Sequence, residues 1–218
     1  MAIILLSGGQ DSTTALLWAL HTLKPPIQAL TFRYKQRHAV EVECAERICQ
    51  KLNIPHAFLE VDGLWSKLQV SSALTSPAVA IEVPAQGLPT TFVPGRNLVF
   101  LTLAAIWGYG GGDYELVIGV SEVDYSGYPD CREPFLRAAE SALAYALDKP
   151  VQIHAPFLHR DKAWLWRYAE EMGYRAFIEE ETHTCYQGVR VLRHPWGYGC
   201  GECPACKLRA QGYKAAFG

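Results

Sequence analysis

The chain has no apolar run approaching the ~18 residues that a membrane-spanning helix needs, so a helical membrane protein is not expected. It has no basic, apolar leader either. Met1-Ala2-Ile3-Ile4-Leu5-Leu6 runs straight into Ser7-Gly8-Gly9, which does not read as a secretion signal. An excess of charge of one sign is also missing. Twenty basic residues stand against 22 acidic ones, a formal net charge of -2. That balance argues against a broad nucleic-acid or anionic-membrane footprint, while leaving room for a local basic pocket. There is no internal repeat and no low-complexity segment. Half of the 218 residues are hydrophobic and 19% are charged, enough apolar material for a core and too much for disorder. The length suits one domain, or one with a small appendage. Seven cysteines without a leader read as reduced thiols of a cytoplasmic protein, where clustering favours a metal over disulfides.

Short apolar runs alternate with helical periodicity. Strands are expected at Ile3–Leu6, Ile27–Phe32, Ala57–Val61, Glu115–Val120 and Val151–Ala155. Helices are expected at Asp11–Leu23, Ala39–Leu52, Asn97–Tyr109, Glu133–Leu147 and Arg160–Met172. Residues 63–90, interrupted by Pro77, Pro84, Gly87 and Pro89, read as a long loop or lid. This alternation implies a doubly wound parallel sheet of the α/β class with helices on both faces. From about Glu179 the pattern gives way to Cys, Gly, Pro and His. The division expected is 1–178 for the α/β domain and 179–218 for a small cysteine-bearing region packed on it.

The first strand turns into the first helix through Leu6, Ser7, Gly8, Gly9, Gln10, Asp11, Ser12, Thr13 and Thr14. Such a turn presents unpaired backbone N–H groups at the positive end of the helix dipole, which suits a phosphate. Two glycines let the backbone approach the ligand, and the hydroxyls add donors. Asp11 would repel a bare phosphate, so its natural role is to hold Mg²⁺ beside one. The plain alternative is a glycine turn capped by Asp11 or Ser12. No Gly-Lys-Ser/Thr closes the loop, so it is not a Walker A motif, and it is not the dinucleotide fingerprint.

Cys185, Cys200, Cys203 and Cys206 follow a C-x14-C-x2-C-x2-C spacing. Two x2 gaps let three thiolates converge, and the distant fourth closes a tetrahedron around one structural zinc. An iron–sulfur cluster or a redox pair are the alternatives. Cys44 and Cys49 read as plain buried residues, and His154, His183 and His194 as structural.

Arg96 opens a helix beside Gly95, where it could reach a phosphate or merely cap a carbonyl. Glu122, Asp124, Tyr125, Tyr128 and Asp130 follow the C-terminal end of an expected strand, where open α/β sheets bind ligands. Carboxylates there could accept from the N–H edge of a guanine-like ring, and tyrosines could stack on it. Their plain alternative is a solvated turn. Lys162, near a helix start, could neutralise phosphate charge.

The loop SGGQDS at 7–12 resembles the SGGxDS pyrophosphate loop of the N-type ATP pyrophosphatases. With QRH at 36–38, TFVPGRN at 91–97, SGYPDCR at 126–132, THTCY at 182–186 and GCGECPACKLRA at 199–210, the chain resembles the QueC family of the queuosine pathway along nearly its whole length. The resemblance implies an adenine-nucleotide α-hydrolase-like, Rossmann-like fold and one zinc on the four cysteines. It implies a C–N ligase that uses ATP with Mg²⁺ and free ammonia to turn 7-carboxy-7-deazaguanine into 7-cyano-7-deazaguanine. Adenylated carboxylate and amide intermediates would be passed on the way. Asp11, Arg96 and Lys162 would be catalytic, the loop would hold ATP, and residues of 122–130 would meet the deazapurine. A homodimer is implied, with no membrane and no stable nucleic-acid partner. Two departures stand out. The family usually has Asp-Tyr-Gly before QRH where this chain has Arg33-Tyr34-Lys35. The Cys185–Cys200 gap is longer than usual, and Arg190, Arg193, His194, Pro195 and Trp196 inside it read as a surface insertion. The competing functions are a tRNA-thiolating or lysidine-type enzyme, for which Cys131 is the candidate thiol, and a zinc-ribbon interaction module.

Overall fold

The structure is a computed structural model that describes residues 1–34, 36–112, 114–123 and 127–218. Asp124 and Tyr125 of the expected substrate set, and Lys35, lie outside the described residues.

Five strands form one parallel sheet: β1 (Ala2–Leu5), β2 (Ile27–Arg33), β3 (His56–Glu60), β4 (Glu115–Ile118) and β5 (Gln152–His154). Their order is β3-β2-β1-β4-β5. The chain winds outward from β1 in one direction, then returns to β4 on its other side. That reversal opens a crevice at the C-terminal ends of β1 and β4, the place where open α/β sheets take ligands. The strands are short, and β1 is buried on both faces, as a central parallel strand must be.

The sheet separates two cores. Ala2, Ile4 and Leu6 face α1 (Gln10–Thr22), α2 (Val40–Leu52) and α6 (Lys162–Glu171). Ile3 and Leu5 face α4 (Arg96–Gly108) and α5 (Glu133–Leu147). The period-2 alternation of β1 thus feeds both layers. Cys44 and Cys49 are buried in the first core, as expected of plain residues. The expected strands and long helices all form, with ends shifted by at most two residues, and the doubly wound class holds.

The departures cluster where periodicity was weak. A short helix, α3 (Leu64–Lys67), interrupts the expected loop of 63–90. Residues beyond 174 are not irregular throughout. They contain α7 (Arg175–Glu181), a small hairpin of β6 (Arg193–His194) and β7 (Gly197–Tyr198), and the 14-residue α8 (Pro204–Phe217). Pro204 opens α8 at a position where its missing N–H is harmless. Gly212 lets α8 lie against the start of α6, since a Cβ there would sit 2.4 Å from that of Lys162. A third core of Leu17, Trp166, Ile178 and Trp196 joins these helices to the cysteines. The segment between Cys185 and Cys200 is therefore not a pure surface insertion. Val191 and Leu192 are exposed, but Trp196 is buried and its carbonyl accepts from Arg209 Nε at 2.9 Å.

Candidate active site

The turn after β1 is shaped by one glycine. Gly8 has φ +83°, and a Cβ on it would lie 2.1 Å from the Glu41 carbonyl oxygen. The first turn of α2 can rest on the loop only because nothing projects from that position. Ser12 Oγ ties the bend together, accepting from Ser7 N at 3.1 Å and lying 2.9 Å from Ser7 Oγ. Gly9 caps α1 with no side-chain hydrogen bond, so neither Asp11 nor Ser12 acts as its N-cap. The first-turn N–H groups stay available at the positive end of the helix. Gly119, just after β4, admits the loop from the other side, since a Cβ there would meet Asp11 and Ser12 backbone at 2.6 Å. His183 N donates to Gly8 O at 2.9 Å, so the chain just before the cysteine cluster closes over the bend.

This loop forms one wall of a cleft of about 280 Å³. Leu6, Ser7, Gly9, Gln10, Asp11 and Ser12 line it, whereas Thr13 and Thr14 are buried behind it. Both amide atoms of fully buried Gln10, Thr13 Oγ1 and both ring nitrogens of His183 lack a partner within the described protein. Buried polar groups are normally satisfied, and Gln10 and His183 line the cleft. Burial pushes His183 down to about 4, which leaves it a neutral ring. Across the mouth, Lys162 Nζ lies 2.5 Å from both carboxylate oxygens of Asp11. The two residues assigned to metal and phosphate are thus brought together from the first and sixth helices.

Arg96 and Tyr128 also line the cleft, but in company the sequence did not single out: Tyr34, Glu41 and Tyr186. Tyr128 Oη lies 2.5 Å from Thr91 Oγ1. Burial pushes the Glu41 carboxyl up to about 7, against the pull of the Arg96 guanidinium. Of the expected carboxylates, Asp124 lies outside the described residues, and Asp130 and Glu122 accept at helix starts. Asp130 Oδ2 accepts from Asn97 N at 3.1 Å at the head of α4. Glu122 Oε2 accepts from Glu133 N at 2.9 Å at the head of α5, and its other oxygen faces His159. Neither lines the cleft. Glu41 stands three residues beyond QRH, and Tyr186 closes THTCY; the motifs marked the region without marking the roles. Cys131 lines the cleft beside Asn97, but burial pushes its thiol up to about 12. A thiol held protonated is a poor nucleophile.

The four cysteines come together. Cys185, Cys200, Cys203 and Cys206 have their sulfurs within 4.8 Å of one another. Cys200 and Cys206 sulfurs are 3.8 Å apart, the separation that two ~2.3 Å bonds to a tetrahedral ion would produce. The N–H groups of Cys200, Glu202 and Cys203 point at sulfur at 3.3–3.4 Å, the second-layer contacts that orient thiolates. The neighbouring Cys203 and Cys206 thiols hold the Cys185 sulfur well below the ordinary thiol range. A Cβ on Gly199 would collide with Cys206 Sγ at 2.6 Å, so glycine is required there. The donor set fits a metal ion.

The cluster and the cleft share a wall. α8 leaves the cysteines and presents Ala205, Leu208 and Arg209 to the cleft. Arg209 is fully buried, with its guanidinium bonded to the carbonyls of Trp196 and Ile178 and to Thr184 Oγ1. The remaining histidines are structural as expected: His154 pairs with Glu115 at 2.6 Å, and His194 stacks on Trp196.

A parallel sheet with a capless, glycine-shaped turn at its switch point, backed by a four-cysteine site, defines an open α/β scaffold with its ligand crevice at that switch point. The chain matches queuosine biosynthesis protein QueC over residues 1–217 and belongs to that family. It is 43% identical to the 7-cyano-7-deazaguanine synthase of Bradyrhizobium sp. (strain ORS 278), covering 100% of this chain and 96% of that one. It is 44% identical to the enzyme of the same name from Nitrobacter hamburgensis, over 97% and 93% of the two chains. Among solved structures, an NMN synthetase from Francisella tularensis is 14% identical with a TM-score of 0.49, covering 88% of this chain and 69% of that one. No helix among the described residues is long and apolar enough to cross a membrane.

Proposed function

We propose that the protein converts 7-carboxy-7-deazaguanine, ammonia and ATP into 7-cyano-7-deazaguanine. The relatives' shared name supports the product. The observation that carries the ATP-dependent chemistry is the Ser7–Ser12 bend, open at the helix end and lined by unpartnered buried polar atoms.

A carboxylate is a poor electrophile because oxide would have to leave. Transfer of AMP from ATP to a carboxylate oxygen releases pyrophosphate and leaves an acyl adenylate. Ammonia then attacks the carbonyl carbon and expels AMP, giving the amide. A second adenylation on the amide oxygen lets AMP depart with that oxygen as the nitrogen gives up its protons, leaving the nitrile. No side-chain nucleophile is needed, so the protein's tasks are positioning and charge neutralisation. The loop N–H groups hold the outer phosphates. Asp11, which Lys162 now holds, is the carboxylate that would hold Mg²⁺ beside those phosphates. Lys162 and Arg209 offset charge on the phosphate side, and Arg96 on the opposite side. The four cysteines would hold one Zn²⁺, whose role would be structural because thiolates would take all four positions.

The test is incubation with 7-carboxy-7-deazaguanine, ATP, Mg²⁺ and ammonia. Mass spectrometry follows the amide and the nitrile, and nucleotide analysis separates AMP from ADP. Formation of nitrile with AMP supports the reading, while ADP or an unchanged acid sinks it. Against the thiolation alternative, a Cys131→Ala variant is expected to keep activity within about threefold, since its thiol is held protonated.

A further inference from the structure

We propose that Glu41 is the carboxylate that reads the deazapurine, accepting from its ring N–H and its exocyclic amino group, with Tyr34 and Tyr186 walling the ring in. This rests on the function proposed above and specifies the substrate pocket within it.

The cleft lining holds two chemically different groups. One is the loop with Lys162 and Asp11. The other is Tyr34, Glu41, Arg96, Tyr128 and Tyr186. Among the described residues, Asp11 and Glu41 are the carboxylates that line the cleft. Asp11 is held by Lys162. Glu41 has no hydrogen bond and no ion pair with any described residue, although Arg96 is close enough to pull on its charge. Tyr34 and Tyr186 line the cleft with it, and each lies close enough to feel its charge. Tyr34 is itself braced edge-on by Trp65 at 5.7 Å and lies 5.5 Å from Phe100.

A half-buried carboxylate in an aromatic-lined cleft, with no donor of its own, is left to cleft water until a ligand supplies donors. The shape of the missing donor is constrained. Two carboxylate oxygens lie side by side and match two parallel N–H groups, as in an arginine fork. A guanine-type edge offers that pair: one ring N–H and one amino N–H. An adenine edge offers one donor beside one acceptor and would set the acceptor against carboxylate oxygen. The two purines of the reaction are therefore separable at this position, and Glu41 suits the deazaguanine. α2 brings it there because Gly8 allows the helix start to settle on the loop.

The experiment measures dissociation constants by calorimetry, separately for 7-carboxy-7-deazaguanine, for its analogue lacking the 2-amino group, and for a non-hydrolysable ATP analogue. Wild type, Glu41→Gln and Glu41→Asp are compared. In Glu41→Gln the amide nitrogen meets the ligand's amino group donor to donor. The expected result is a 30- to 300-fold weaker deazaguanine, roughly the loss of one or two charge-assisted bonds, with the ATP analogue unchanged within twofold. Wild type should lose a similar factor toward the desamino analogue, and Glu41→Gln should barely distinguish the two deazapurines. Glu41→Asp should fall between them. The wild-type comparison of two ligands needs no variant, so a folding defect cannot mimic it. If wild type binds the deazaguanine and Glu41→Gln binds it equally well, or weakens the ATP analogue instead, this assignment is overturned while the function stands. If wild type binds no deazapurine, both fall together.

Discussion

The Ser7–Ser12 loop and the cysteine cluster are both turns built on glycine, but they are held by different forces. The loop hangs between two central strands and is fixed by what surrounds it: Gly119 behind, α2 above, Ser12 within. Nothing from outside the chain is needed to shape it. The cluster is gathered from a loop, a hairpin and the head of α8, and its third core is small. A region of that kind takes much of its stability from a bound ion. One site is preorganised by the sheet, the other offers four sulfurs that a metal ion could draw together, and they meet at Arg209 and the His183–Gly8 bond.

The sharpest way to break that contrast is to remove the metal. Chelation, or Cys206→Ser, is expected to destabilise the 175–218 segment by more than about 5 kcal/mol. Hydrogen exchange should show α7 and α8 losing protection while β1 and α1 keep theirs. Affinity for an ATP analogue should fall as well, because α8 supplies a wall of the cleft. Equal loss of protection in β1 would mean that the two regions are one cooperative unit and the contrast is false.

Gly8→Ala tests the other side. The new methyl group would overlap the Glu41 carbonyl at a positive φ that alanine resists. A loss of about 3 kcal/mol or more is expected, a melting shift of roughly 6–12 °C for a chain of this size. Metal content, read by mass spectrometry or a colorimetric thiol-metal assay, should stay at one per chain. If the metal left as well, the loop would be shaping the cluster.

The two regions also differed in what the sequence disclosed. The loop is contiguous and sits between a strand and a helix of clear periodicity, so its place at the end of the first strand is legible in the sequence. The four thiols were legible from spacing alone. What could not be read was their surroundings. α8 has lysines, a glycine and alanines in no strong stripe, because it packs on α6 through Gly212 and on the cysteines at its head. Tertiary contact decides such a helix, not its own pattern. The carboxylates failed differently. Glu122 and Asp130 stand in the right loop but turn to the free N–H groups of α5 and α4. Glu41 lies on a helix whose charged residues otherwise face solvent, so one charge aimed inward carried no periodic mark.

Arg209 is where the regions join, and Arg209→Met sharpens the comparison further. Methionine keeps much of the volume between Trp166 and Trp196 but leaves two buried carbonyls and Thr184 without their donor. A loss of about 2–3 kcal/mol in stability is expected, with a five- to tenfold weaker ATP analogue and full metal content. A variant that melts normally and binds nucleotide normally would show that the shared wall is passive.

The smallest effect concerns Glu41 as a titrating group of the ligand-free protein. Its carboxyl moves from an ordinary 4.5 to about 7 because burial penalises the charge. A raised folded-state value means that the protonated form is the one the fold favours. The group's contribution is therefore fully present below pH 4.5 and is lost as pH rises through 7. Glu41→Gln, which cannot ionise, should melt with wild type near pH 4.5 and above it at pH 8. The gap should be on the order of 1–2 kcal/mol, less than the full shift would give because the cleft is open to solvent. Deazaguanine binding runs the opposite way. It needs the carboxylate, so wild-type affinity should weaken as pH falls below 7 while the ATP analogue's does not share that step. A Glu41→Gln protein that gains no stability at pH 8, or a deazaguanine affinity flat between pH 6 and 8, would place the titrating group elsewhere in the cleft.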